Sequence, residues 1–381
     1  VKTIYFDYNA TTPLDPAVRE AMLPFLGEVF GNPSSVHHVG RQARALLDDA
    51  RDRVATVWRA KPSEVVFTSG GTESNNLAVF GAARLLRGKG RHLITSTIEH
   101  HAVLHCFQYL AGKEGFDVTS LPVNAEGIVS PDDLKKAIRP DTTLVSIMSA
   151  NNETGSIQPV PVLGEICRSQ GVFFHTDAVQ SFGKQPFEDI HQFNADLVSV
   201  CAHKFHGPKG AGALFIKSPL RPDPILFGGG HENERRAGTE NIAGIIGLAG
   251  AMERFLKTPV FQPEKLSPLT ARLIDFVKSL EGVAFRGSWR NRLSNTVAFT
   301  VAGCDSITLL AGLDMEGICA SSGSACSAGS LEPSHVMSAM GVDKNSANSL
   351  VRFSLGRDST LAEVQTAEAV LKNVINRVLR R

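Results

Sequence analysis

Thr68-Ser69-Gly70-Gly71-Thr72-Glu73-Ser74-Asn75-Asn76 follows directly on Glu64-Val65-Val66-Phe67, so an apolar strand runs into two glycines and then into a polar helix start. Such a turn can cradle an anion: the glycines let backbone N–H groups approach a phosphate, the helix N-terminus adds partial positive charge, and Thr72 offers a hydroxyl. Glycine is also the default residue of tight turns, so this segment by itself supports either reading. Outward from it the same alternation continues. His92 to Ser96, Thr143 to Met148, Val172 to Thr176, Leu197 to Val200 and Gly212 to Ile216 are short apolar runs that read as buried strands. Val39 to Trp58, Glu73 to Leu86 and Val160 to Ser169 carry apolar residues at helical spacing, and Ser130-Pro131-Asp132-Asp133 is a capped helix start. Strands alternating with amphipathic helices predict an α/β protein with a mainly parallel sheet.

The chain has 381 residues, which at about 150 per domain predicts two domains. Beyond Lys257 the pairs Thr258-Pro259 and Gln262-Pro263 break the pattern, and longer helices surround a few strands such as Thr296 to Val301. The formal net charge of +1 offers no overall pull toward nucleic acid or an anionic membrane. Six cysteines, at 106, 167, 201, 304, 319 and 326, are too dispersed for a disulfide framework and favour a reducing compartment. With no signal-like start and no apolar stretch of spanning length, the expected location is cytoplasmic.

Two later segments carry chemistry. Ser199-Val200-Cys201-Ala202-His203-Lys204-Phe205-His206 sets a lysine just past an apolar run, where desolvation lowers its pKa and frees a neutral amine to attack an aldehyde. His175-Thr176-Asp177-Ala178-Val179-Gln180 closes another run on an acid, which can hold a pyridine nitrogen protonated. A phosphate cradle, a Schiff-base lysine and an aspartate together outline pyridoxal phosphate. Metal binding is not expected, because neither a Cys-x-x-Cys nor a His-Glu-x-x-His spacing occurs.

With these segments and with Phe6-Asp7-Tyr8-Asn9-Ala10-Thr11-Thr12-Pro13, Gly31-Asn32-Pro33-Ser34-Ser35, Glu99-His100-His101-Ala102-Val103, Asn151-Asn152-Glu153-Thr154-Gly155, Arg236-Ala237-Gly238-Thr239, Ser321-Ser322-Gly323-Ser324-Ala325-Cys326 and Val351-Arg352-Phe353-Ser354, the chain resembles the NifS and IscS group of cysteine desulfurases. These belong to the fold-type I pyridoxal-phosphate enzymes, in the class-V aminotransferase family. The resemblance implies a large domain over 14–257 with a mainly parallel seven-stranded sheet, and a smaller α+β domain made of 1–13 and 258–381. It implies that Lys204 holds the cofactor and moves protons, that Asp177 pairs with the ring nitrogen and that His100 stacks on the ring. Gln180 and Asn152 would address the phenolic oxygen, with Asn152 also near the substrate. Gly71, Thr72 and His203 would hold phosphate, joined by Thr239 reaching across a homodimer interface with shared active sites. Arg352 would bind the substrate carboxylate through parallel hydrogen bonds. Cys201 stands where relatives usually carry a phosphate-binding serine, and a thiol is a poorer donor.

Cys326 is the expected persulfide carrier, in a small, polar, glycine-containing segment whose composition predicts a mobile loop. The other five cysteines are expected to be structural, since free cysteine is usually buried. The implied reaction converts L-cysteine to L-alanine and delivers sulfur to an acceptor protein of iron–sulfur cluster assembly or thiolation. A selenocysteine lyase or an aminotransferase of the same fold is the competing expectation, and a non-catalytic sulfur-pathway scaffold a third. No membrane or nucleic-acid partner is expected.

Overall fold

The protein is represented by a computed structural model that describes residues 3–323 and 333–379. Its twelve strands are β1 (Ile4–Tyr5), β2 (Val65–Thr68), β3 (His92–Ser96), β4 (Asp117–Leu121), β5 (Thr142–Ser146), β6 (Phe173–Asp177), β7 (Leu197–Cys201), β8 (Gly212–Ile216), β9 (Val283–Arg286), β10 (Thr296–Val301), β11 (Ile318–Cys319) and β12 (Val351–Ser354) among the described residues. A seven-stranded sheet in the order β2-β8-β7-β6-β5-β3-β4 dominates, and only β8 runs against the others. The expected α/β class with a mainly parallel sheet is therefore what the chain adopts.

Alternation along the strands explains why helices cover both faces. In β2, Val65 and Phe67 join one apolar cluster while Val66 joins the other; in β8, Ala213 and Phe215 face one way, Leu214 and Ile216 the other. The first cluster is closed by the helices His38–Trp58 and Ile242–Phe255, the second by Gly71–Leu86 and His101–Glu114. Every strand read from the sequence is present, with Thr143–Met148 ending instead at Ser146. Within the large sheet the strand missed was β4, because Asp117-Val118-Thr119-Ser120-Leu121 has no apolar run: as the sheet edge it needs burial only at Leu121.

A second, antiparallel sheet, β12-β10-β9, lies in the later part of the chain, and β1 pairs with β11. Through a parallel bridge from Asp7 to Ser354 the N-terminal segment runs beside β12 and enters the space at the carboxyl ends of β5, β6 and β7. None of the described helices is long and apolar enough to cross a membrane.

Candidate active site

In parallel α/β sheets ligands bind beyond the carboxyl ends of the strands, where the loops leave backbone groups unpaired. Here those ends surround a cleft of about 220 Å³. β2 leads to Gly71 and Thr72, β3 to His100, β5 to Asn152, β6 to Asp177 and Gln180, and β7 to His203 and Lys204; Arg352 enters from β12, and all of these line the cleft.

The glycine turn has two constraints. Gly70 has φ 152°, a conformation that side-chained residues rarely adopt, and a Cβ on Gly71 would lie 2.8 Å from Val179 Cγ2. The helix Gly71–Leu86 then points its N-terminus at the cleft. Cys201 also lines it, and burial pushes its thiol above the ordinary value; its sulfur sits 3.9 Å from Ala211 O, so it is no phosphate donor in this arrangement. Cys201 is thus buried, as expected of a structural cysteine, although it lies at the wall of the cleft. Cys106 and Cys167 are buried, and burial pushes both thiols to about 12.

Lys204 Nζ donates to Asn9 O at 2.7 Å and Ala10 O at 2.8 Å. Burial lowers its amine to about 8, against an ordinary 10.5, with Asp177 among the groups opposing the shift and Arg352 reinforcing it. Asp177 accepts from Asn75 Nδ2 at 2.6 Å and from Val179 N at 3.0 Å, which fixes its carboxylate plane. His100 caps the helix His101–Glu114, its Nδ1 accepting from Ala102 N at 3.1 Å, and burial holds the imidazole below its usual range. Just before it, Glu99 accepts from Ser96 Oγ at 2.5 Å and Met148 N at 3.0 Å while burial raises its carboxyl to about 8. His203 Nδ1 lies 3.1 Å from Thr11 Oγ1, and burial lowers the ring to about 4.

Arg352 is 1 % exposed and already engaged. It donates to Asn152 O at 2.8 Å, to Gly323 O at 2.7 Å and to Asp7 Oδ1 at 2.6 Å, while its Nε has no partner among the described residues. An incoming carboxylate would meet a guanidinium whose charge Asp7 shares, a pairing that sequence reasoning did not anticipate. Thr239 is the one expected residue of the described chain that the fold does not bring to the cleft; it lines a separate depression with Ser69, Gly210 and Arg236. Cys326 lies outside the described residues. The reading of residues also left Asn9, Asn75 and Lys184 without roles, although Asn9 and Asn75 stood inside quoted motifs.

These donors fit pyridoxal phosphate: a glycine-lined helix N-terminus for the phosphate, a buried amine of lowered pKa for the aldehyde, a rigid carboxylate for the ring nitrogen and a neutral imidazole for the ring face. From these values, the rate at which the cofactor-free protein takes up pyridoxal phosphate is expected to rise with pH through about 8 and level off above it, because only the neutral Lys204 amine can attack. A rate still climbing tenfold per unit between pH 8 and 10, followed by visible absorbance, would place the amine at its ordinary value.

Known proteins resemble this chain over nearly its whole length. The family model "Aminotransferase class-V" matches residues 4–366. Cysteine desulfurase IscS of Dictyoglomus turgidum is 47% identical over 378 residues, covering 99% of this chain and 95% of that protein. A solved NifS-like protein superposes with a TM-score of 0.90 at 37% identity over 100% of both chains. Another solved structure, described as SspA in complex with cysteine, has a TM-score of 0.80 at 37% identity, covering 94% of this chain and 100% of that one. On this sequence and structural likeness, spread over nearly the whole chain, it belongs to the class-V aminotransferase family and, within it, to the cysteine desulfurases of the NifS and IscS group.

Proposed function

We propose that this chain is a pyridoxal-phosphate-dependent cysteine desulfurase that turns L-cysteine into L-alanine and keeps the sulfur as a persulfide on Cys326. The observation that carries the proposal is the buried Lys204 amine, lowered to about 8, in one cleft with Asp177, His100 and Arg352.

Gly71, Thr72 and His203 would hold the phosphate, Asp177 the ring nitrogen, His100 the ring face, and Gln180 with Asn152 the phenolic oxygen. Lys204 would hold the aldehyde carbon. When bound, pyridoxal phosphate supplies an electron sink for the α-carbon of an amino acid. Arg352 anchors the substrate carboxylate and so sets which bonds of the α-carbon face Lys204. The Lys204 amine takes the α-proton and returns a proton later. Cys326 thiolate attacks the substrate sulfur: an S–S bond forms, the substrate Cβ–S bond breaks, and its electron pair stays with the carbon that becomes the alanine methyl group. Overall, one thiol and one cysteine give one persulfide and one alanine, with no external oxidant.

The same proposal assigns 14–257 to a large domain, 1–13 and 258–381 to a smaller one, and the chain to a cytoplasmic homodimer. Thr239, remote from its own cleft, would complete the partner's phosphate site. The sulfur would pass to an acceptor protein of iron–sulfur cluster assembly or thiolation. Purified protein given L-cysteine, pyridoxal phosphate and a thiol reductant is expected to release alanine and sulfide in equal amounts over many turnovers. A keto acid in place of alanine would instead mark an aminotransferase.

A further inference from the structure

Lys184 is a buried titratable group that the reaction above leaves unused. It is 1 % exposed, yet its amine donates to Gln180 Oε1 at 2.6 Å and to Asn9 Oδ1 at 2.7 Å. Burial pushes the amine well below the ordinary lysine range, the Lys204 and Arg352 charges push the same way, and Asp7 opposes them. Both partners of the amine are amide oxygens, which can only accept from its N–H groups. The Phe261 ring lies 5.2 Å from the nitrogen and gives the pocket one apolar wall. An uncompensated lysine there would be costly, and an aliphatic side chain would fill the space as well.

What an aliphatic side chain could not do is choose between the two flips of an amide. With Oε1 held by Lys184, the Gln180 Nε2 group faces the other way and donates to Asn9 O at 3.0 Å. That same oxygen accepts from Lys204 Nζ. The second Gln180 N–H has no partner among the described residues, and Gln180 lines the cleft. Asn9 is fixed in the same manner: its Oδ1 accepts from Lys184 and from Asn295 Nδ2, while its Nδ2 donates to Asn152 O and Thr296 Oγ1. The amine thus shares in holding two amides, that of Asn9 together with Asn295, Asn152 and Thr296 and that of Gln180 together with the Asn9 carbonyl on which Lys204 also rests.

We propose that Lys184 is a positioning residue for the cofactor, locking the Gln180 amide with its N–H group toward the phenolic oxygen. This rests on the reading of the cleft as a pyridoxal-phosphate site. A donor to the phenolic oxygen stabilises its ionised form and makes the neighbouring lysine–cofactor nitrogen easier to deprotonate, so losing the donor raises the pH at which the visible band changes.

The test is a pH titration of the visible absorbance in protein loaded with pyridoxal phosphate, with no substrate present. Gln180→Leu and Lys184→Met are each expected to raise the midpoint by about one pH unit, a tenfold change in the proton equilibrium. The double variant should shift it no further, because both changes remove the same donor. Lys184→Gln, with one amide donor at shorter reach, should fall between. A midpoint that Gln180→Leu moves and Lys184→Met leaves in place would overturn the proposal while keeping the cofactor site, as would additive shifts in the double variant. No shift with Gln180→Leu would overturn it as well. Failure of both Lys184 variants to fold would assign the residue to the fold alone and also overturn it. A wild-type protein that develops no visible band with pyridoxal phosphate would instead overturn the cofactor reading.

Discussion

Lys204→Ala is expected to lower alanine formation from L-cysteine by about 10⁴-fold, since on the function proposed above it removes both the proton-transfer group and the covalent hold on the cofactor. The geometry leaves little to compensate. The nearest polar contacts of the amine are the backbone oxygens of Asn9 and Ala10, which cannot take a proton from carbon. His203 is neutral but turned toward Thr11, and His100 has its Nδ1 committed to Ala102 N. Added amines should restore part of the rate, because the cavity left by the side chain opens on the cleft. A second readout concerns stability. In the cofactor-free protein the amine titrates at about 8 when folded and at its ordinary 10.5 when unfolded, so between those values the unfolded chain binds more protons. Stability should therefore rise with pH across that window, and Lys204→Ala should flatten this rise. Retention of more than a tenth of wild-type turnover by Lys204→Ala would remove the lysine from the reaction.

Cys326→Ala is expected to reduce turnover of L-cysteine to less than about a thousandth while the cofactor's visible band remains, since nothing else in the chain is assigned to receive the sulfur. The two substitutions separate the chemistry cleanly. Loss of the band belongs to Lys204, and loss of persulfide with the band intact belongs to Cys326. Mass spectrometry of the intact wild-type protein after a brief exposure to L-cysteine should find one added sulfur atom, absent from the variant. The five other cysteines are poor substitutes: burial raises the thiols of Cys106, Cys167, Cys201, Cys304 and Cys319 above the ordinary value, which disfavours the nucleophilic thiolate. Persulfide on Cys326→Ala at wild-type yield would transfer the carrier role to one of them.

Most of the large sheet was legible because buried parallel strands need continuous apolar runs, as in Val65-Val66-Phe67, and glycine turns interrupt them where the backbone must bend. β4 escaped for the opposite reason, being an edge strand with one buried residue. The cleft residues were legible to the extent that each closes a strand. Asp177 ends β6 and Lys204 follows β7, so position along the chain already placed them at one rim.

Sequence alone therefore determined the fold class, the carboxyl-end location of the site and the chemical identity of the groups there, since these depend on local pattern and on order along the chain. Only the tertiary structure decided which of those groups meet, because burial and pairing between distant segments belong to no segment by itself. The Lys204 amine is lowered by packing of the whole site around it, Arg352 shares its charge with Asp7 from 345 residues away, and Lys184 is turned from an unremarked lysine into a partner of Gln180 and Asn9.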